Sequence, residues 1–331
     1  MAIRLILATK TGLFMARRAG RKWSVDAAAL SGHAITSVAA CEELLLAGTQ
    51  EGIWRSADGG QNWTEADTDL TIRYVRWITC SSEGLPFVLV GTEPAAIFVS
   101  RDGAETWTAC PEVEKLRDQF GWFLPYSPEA GCVRGFAVYS FGAELARVFA
   151  AVEVGGVLIS NNSGDNWQLV EGSDGSPDMD RTLGTLIHPD VHSIDAHRSS
   201  PDLVTAATGG GLYRSVDCGA KWESLYPCYC RAVWVDPQNP QHVIFGPADG
   251  VSRNGRIEES RDGGETWHPA ASGLEAPWPQ HMVERFCLAG DQLLAILSNG
   301  ELWGTILEKI MWHRVLSEIK GVTSVAATTI S

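Results

Sequence analysis

The chain has 331 residues, 45% hydrophobic and 20% charged, with a formal net charge of −14 and a pI near 5.0. That length allows one large closed array or about two domains, and the acidic balance excludes a global basic field able to release counterions from nucleic acid or hold an anionic membrane surface. No run approaches a membrane span, and MAIRLILATKTGLF lacks the apolar region and cleavage site of a signal peptide. The eight cysteines (Cys41, Cys80, Cys110, Cys132, Cys218, Cys228, Cys230 and Cys287) have no CxxC spacing. The expectation is a cytoplasmic protein whose thiols are reduced and mostly serve as small core hydrophobes.

Taken along the chain, the strongest signal is a repeat. A degenerate unit, TGLFMARRAGRKW, leads to Trp23, and then come SADGGQNW from Ser56, SRDGAETW from Ser100, SNNSGDNW from Ser160, SVDCGAKW from Ser215 and SRDGGETW from Ser260. A last degenerate unit, LLAILSNGELWGTILEKIMW, leads to Trp312. Asn162 replaces Asp in the third full copy and Ala104 the Gly in the second. Before each full copy, two apolar runs flank a Gly-containing turn, as in LLLAGTQEGIWRS, so each unit reads as strand, turn, strand, boxed turn, strand. Tryptophans at 23, 63, 107, 167, 222, 267 and 312 mark seven units of propeller-blade length.

The inner strands align as ITSVAA (Ile35), VRWITC (Val75), VRGFAV (Val133), VHSIDA (Val191), CRAVWV (Cys230), VERFCL (Val283) and VTSVAA (Val322). The predicted fold is therefore all-β, a single seven-bladed β-propeller of negligible helix content. Its blades span 322–330 with 3–27, then 34–66, 72–110, 132–170, 190–225, 229–270 and 281–316. The C-terminal strand is expected to complete the N-terminal blade and so remove open sheet edges. An open sandwich or a ring of one blade more or fewer is the alternative.

The second position of the aligned inner strands reads Thr36, Arg76, Arg134, His192, Arg231, Glu284 and Thr323. Equivalent positions in a closed ring face one axis, so Arg76, Arg134 and Arg231 are candidate substrate-binding residues for a carboxylate, sulfate or phosphate. The register is open where Arg73 competes with Arg76 and where Arg285 adjoins Glu284. His192, Glu93, Glu153 and Glu284 are the candidate catalytic residues for moving protons, and the same glutamates could instead be salt-bridge partners that tie blades together. Two insertions, Pro111 to Gly131 and Glu171 to Asp190, precede the strands of Arg134 and His192. The first brings Trp122, Phe123 and Tyr126, and SGLEAPWPQHM brings Trp278 and His281, as groups that could cover a ligand at the mouth. HPDVHSIDAH tempts a metal reading. His192 and His197 are an odd number apart in a strand, which leaves His188 and His192 with Asp190 or Glu153, and catalytic metal sites use three protein ligands and an open position. No metal or other cofactor is expected.

The five boxes resemble the Asp-box of BNR-repeat propellers, and the chain looks like a member of that sialidase-like superfamily, with glycosyl hydrolases and photosystem II assembly factors among its kinds. Sialidases hold a substrate carboxylate with three arginines, but they resemble six-bladed rings and carry an Arg-Ile-Pro signature absent here, so sialidase activity is not expected. The resemblance implies a small-molecule pocket protein, a hydrolase or lyase acting on an anionic, carboxylate-bearing substrate. The alternative is a non-enzymatic interaction or assembly scaffold that receives an acidic peptide segment. Neither nucleic acid nor membrane is an expected partner.

Overall fold

The computed structural model describes residues 2–20, 22–81, 86–122, 131–141, 145–180 and 184–330. Seven four-stranded antiparallel sheets follow one another along the chain as the blades of a β-propeller. Blade one is Val322–Ile330, Ala2–Thr9, Gly12–Ala19 and Lys22–Ala29. The inner strands of the other blades are Ile35–Cys41, Val75–Ser81, Val133–Ser140, Val191–Ala196, Tyr229–Asp236 and Val283–Ala289, and successive inner strands lie side by side.

The second strands explain why the repeat is so apolar. Phe87–Thr92, Val204–Thr208 and Gln292–Leu297 are buried throughout, because a neighbouring blade covers each face of the sheet. Such strands read as continuous hydrophobic runs and not as alternation. Val322–Ile330 pairs along Ala2–Thr9, Leu5 against Ala327 and Leu7 against Val325, so the C-terminal strand closes the ring on the N-terminal blade.

The boxed turns are held by their own side chains. Ser56 donates to Asp58 Oδ1 at 2.7 Å and accepts the Gly60 N–H at 2.8 Å, while Asp58 Oδ1 accepts the Gln61 and Asn62 N–H groups at 2.9 Å. Those donors hold the Asp58 carboxyl down to about 2. Asn162 does the same work as a neutral acceptor for the Asn166 N–H at 3.0 Å, and Ala104 tolerates a φ of 68° where glycine is usual. These residues shape turns and are spent in doing so.

Two expectations need correction. The first insertion forms a ten-residue helix, Pro111–Phe120, with Pro at its first turn, Glu112 and Glu114 beside it, and Gly121 left-handed at φ 67° to end it. Each of those signals stood in PEVEKLRDQFG. Cys41 and Cys80 form a disulfide and are not reduced thiols: they lie near the ends of the inner strands of adjacent blades, with their Cα atoms 6.2 Å apart. Cys110, Cys132 and Cys230 are buried thiols.

Candidate functional site

The aligned second positions are structurally equivalent, for a reason the alternation of strands does not contain. In every inner strand the register slips at that point: Val75 opposes Thr92 while Trp77 opposes Gly91, so Arg76 is an extra residue with no partner across the sheet. The same slip falls at Thr36, Arg134, His192, Glu284 and Thr323, and over Arg231–Ala232 in blade six. A bulge breaks the two-residue period and re-aims the side chains beside it. That resolves the register, since Glu284 and Arg285 both line the channel mouth, whereas Arg73 is mostly exposed and pairs with Asp67 at 2.7 Å.

Three of the ring residues tie one blade to the next. Thr36 Oγ1 donates to the Val75 carbonyl at 2.6 Å, Thr323 Oγ1 to the Ile35 carbonyl at 2.7 Å, and His192 Nδ1 lies 2.8 Å from the Cys230 carbonyl. The arginines meet the three candidate glutamates. Arg76 pairs with Glu93 at 3.2 Å, Arg134 with Glu153 at 3.3 Å and Arg231 with Glu284 at 2.7 Å, with Glu284 also 4.0 Å from Arg134. Burial alone would raise Glu153, but Arg134 and the Cys132 S–H outweigh it and hold the carboxyl down to about 2. At neutral pH Glu153 is therefore an acceptor and a counter-ion.

Arg285 was visible in the sequence only as a rival to its neighbour. It reaches from blade seven across the channel, donating to the Arg231, Arg134 and Glu284 backbone carbonyls at 3.1, 3.0 and 2.8 Å, with its guanidinium 4.8 Å from the Trp77 ring centre. Among the described residues it forms no carboxylate ion pair. Burial and the nearby Arg134 charge push it down to about 9. The cluster thus sets four arginines against three glutamates. Above it lies a pocket of about 590 Å³ lined by Lys10, Arg76, Trp77, Arg134, Glu284 and Arg285, together with Asn299 and the two ring threonines. A larger cavity of about 1650 Å³ lies at the other ends of the inner strands, along Cys41, Cys80 and Ser140, away from the arginines.

The expected cover is not where the sequence suggested. Trp122 does not line the mouth; it is fully buried beneath the helix, donating to the Gly175 carbonyl at 2.8 Å. Trp278 is 9% exposed and packs between blades six and seven, and the His281 carbonyl accepts the Gly255 N–H nearby. Neither lines the 590 Å³ pocket. Phe123 and Tyr126 lie outside the described residues. His188 accepts the Asp190 N–H at 3.2 Å, and His197 turns to the Asp236 carbonyl at 3.0 Å. What does come together beside the arginines is Glu153, Asp190 and His192.

Fold and site together define a seven-bladed β-propeller with an arginine–glutamate cluster at one mouth of its channel. No family model matches the sequence, nor does any curated protein. Among solved structures, an ancestral GH74 enzyme is similar, with a TM-score of 0.62 and 16% identity over 84% of this chain and 38% of its own. YCF48 bound to a D1 peptide gives 0.61 and 16% over 91% of this chain and 87% of its own. YCF48 from Cyanidioschyzon merolae gives 0.60 and 15% over 93% and 97%. The chain therefore spans well under half of the GH74 enzyme and most of YCF48, and at such identities the likeness is one of fold.

Proposed function

We propose that this protein binds a small carboxylate-bearing anion in the pocket at the channel mouth. The observation that carries the reading is Arg285, a half-buried guanidinium that gives its donors to backbone carbonyls and forms no carboxylate ion pair among the described residues. Arg76 and Arg134 line the same pocket, and its size suits a small molecule. Guanidinium donors in a desolvated setting bind carboxylates strongly. We further place the chain with Asp-box propellers, on the strength of its five boxed turns. Hydrolase or lyase chemistry, the finer form of this reading, would leave proton transfer to His192, because Glu93, Glu153 and Glu284 are each held by an arginine.

A thermal-shift screen with small carboxylates, acidic sugars and sulfate tests the proposal, since a ligand of the native state raises apparent stability by mass action. The expected result is a shift with carboxylates that falls at least tenfold in apparent affinity in Arg76→Ala. Silence across the screen, or a shift untouched by that substitution, would move the reading to its second form. There the arginine-lined face receives an acidic peptide segment, which the near-complete mutual coverage with the peptide-bound YCF48 favours.

A further inference from the structure

We propose that Glu153, Asp190 and His192 form a binding site for a divalent first-row metal ion, with Zn²⁺ the fitting probe. The inference stands on the histidine and is independent of anion binding, although a metal on Nε2 would replace the proton-transfer role of His192. His192 is fully buried, and its Nδ1 lies 2.8 Å from the Cys230 carbonyl, an atom that only accepts. Nδ1 therefore carries a proton, and Nε2 is the ring atom left to face Asp190. That Nε2 makes no hydrogen bond, and neither does Asp190 Oδ1, yet the two atoms lie 3.0 Å apart. A nitrogen and a carboxylate oxygen at that distance need something positive between them, a second proton or a cation.

A metal ion meets this requirement with the groups already in place. One ligand atom from each of Glu153, Asp190 and His192 lies within 4.8 Å of the others. Tetrahedral ligands with bonds of about 2.1 Å stand roughly 3.4 Å apart, so the histidine and aspartate, at 3.0 Å, need open by only a few tenths of an ångström to share an ion. A ring nitrogen that donates to a backbone carbonyl is the usual outer support of a metal-bound imidazole, and Glu153 has its own in the Cys132 S–H at 3.0 Å and the Arg134 guanidinium. A carboxylate offers about four lone-pair sites, so those contacts leave Glu153 room for an ion. Two carboxylates face the ion, one of them shared with Arg134, and one nitrogen with two oxygens suits zinc better than calcium or magnesium. Three protein ligands leave a coordination position open, and Asp190, whose side chain keeps 17% exposure, marks the solvent edge. The sequence raised Asp190 and Glu153 only as candidate companions of His188 and His192, because Glu153 comes from blade four and the other two ligands from blade five.

The test is metal retention by the full chain, stripped with chelator, incubated with Zn²⁺ and desalted. Wild type is expected to keep one equivalent more than either His192→Ala or Asp190→Asn, with at least a tenfold weaker dissociation constant in both variants by competition with a chromophoric chelator. Circular dichroism establishes that the variants fold, and Glu153→Gln serves as the third variant if His192→Ala does not. Nitrogen NMR of the His192 ring supplies a second readout: Zn²⁺ is expected to shift Nε2 and leave Nδ1 protonated. Equal retention by wild type and variants would overturn the proposal, as would an Nε2–H that persists in excess Zn²⁺, which would make His192 an imidazolium paired with Asp190.

Discussion

Arg134 and Glu153 show what a single buried charge demands of its neighbours. Breaking such a pair strands one ion in a low-dielectric setting at a cost of roughly 3–5 kcal/mol, whereas replacing both partners with apolar groups is often neutral. Arg134→Met is therefore expected to destabilise the fold by about 3–5 kcal/mol, and Arg134→Met with Glu153→Leu to recover most of the loss, as urea unfolding would measure. Asp195 makes the opposite case. Burial pushes its carboxyl up to about 6 although it accepts the Val235 N–H at 3.0 Å. The folded chain then binds this proton more tightly than the unfolded chain, so stability is lost as pH rises through the interval from 3.8 to about 6, and the whole penalty is present above it. At about 1.4 kcal/mol per pKa unit the penalty is at most about 3 kcal/mol. Asp195→Asn keeps the acceptor and removes the charge, so its melting temperature should exceed that of wild type at pH 7.5 and match it at pH 4; equal values at both pH settings would contradict the assignment.

At the scale of the strand, blades fit together through a small residue in the second strand set against the first residue of the next inner strand. A Cβ at Gly91 would meet Val133 at 2.5 Å, one at Gly48 would meet Val75 at 2.4 Å, and one at Gly246 would meet Val283 at 2.6 Å. Overpacking of this kind costs about 1–3 kcal/mol. Gly91→Ala should lower stability by that amount in urea, and Gly135→Ala, with its nearest neighbour 3.9 Å away, should change it little. The closing strand carries a larger burden. Without residues 322–331, strand Ala2–Thr9 would lose its inner partner and present an open edge. A chain ending at residue 321 is expected to elute as oligomers or aggregate in gel filtration, where the full chain runs as a discrete species.

For the whole ring, the Cys41–Cys80 disulfide adds a covalent tie between blades two and three across 39 residues. The loop-entropy relation assigns a closure of that length about 4 kcal/mol, nearly all from restraint of the unfolded chain. Reduction or Cys80→Ser should lower unfolding stability by up to that amount and leave the folded ring intact, because closure of the propeller rests on the C-terminal strand. A reduced protein that melts at the same temperature as the oxidised one would show that the tie contributes nothing.

The sequence by itself pointed to seven blades, to the turn chemistry and, through the likeness of VTSVAA to ITSVAA, to the closing strand, because these are local patterns and local patterns need no neighbours to be read. It also placed Arg76, Arg134, His192, Arg231 and Glu284 at equivalent positions. Only the tertiary structure decided what those positions do. The bulge in every inner strand turns Arg285 and Trp77 into the channel beside the expected ring, and a period of two cannot reveal such an inserted residue. Trp122 had the composition of a lid and became core, since whether an aromatic loop covers a pocket or fills a gap depends on which blade it meets. The pairing of each arginine with its glutamate, the Cys41–Cys80 bond and the convergence of Glu153 on Asp190 and His192 all join residues of different strands or blades. Contacts of that kind are fixed by the packing of the ring, and nothing in the local chain encodes them.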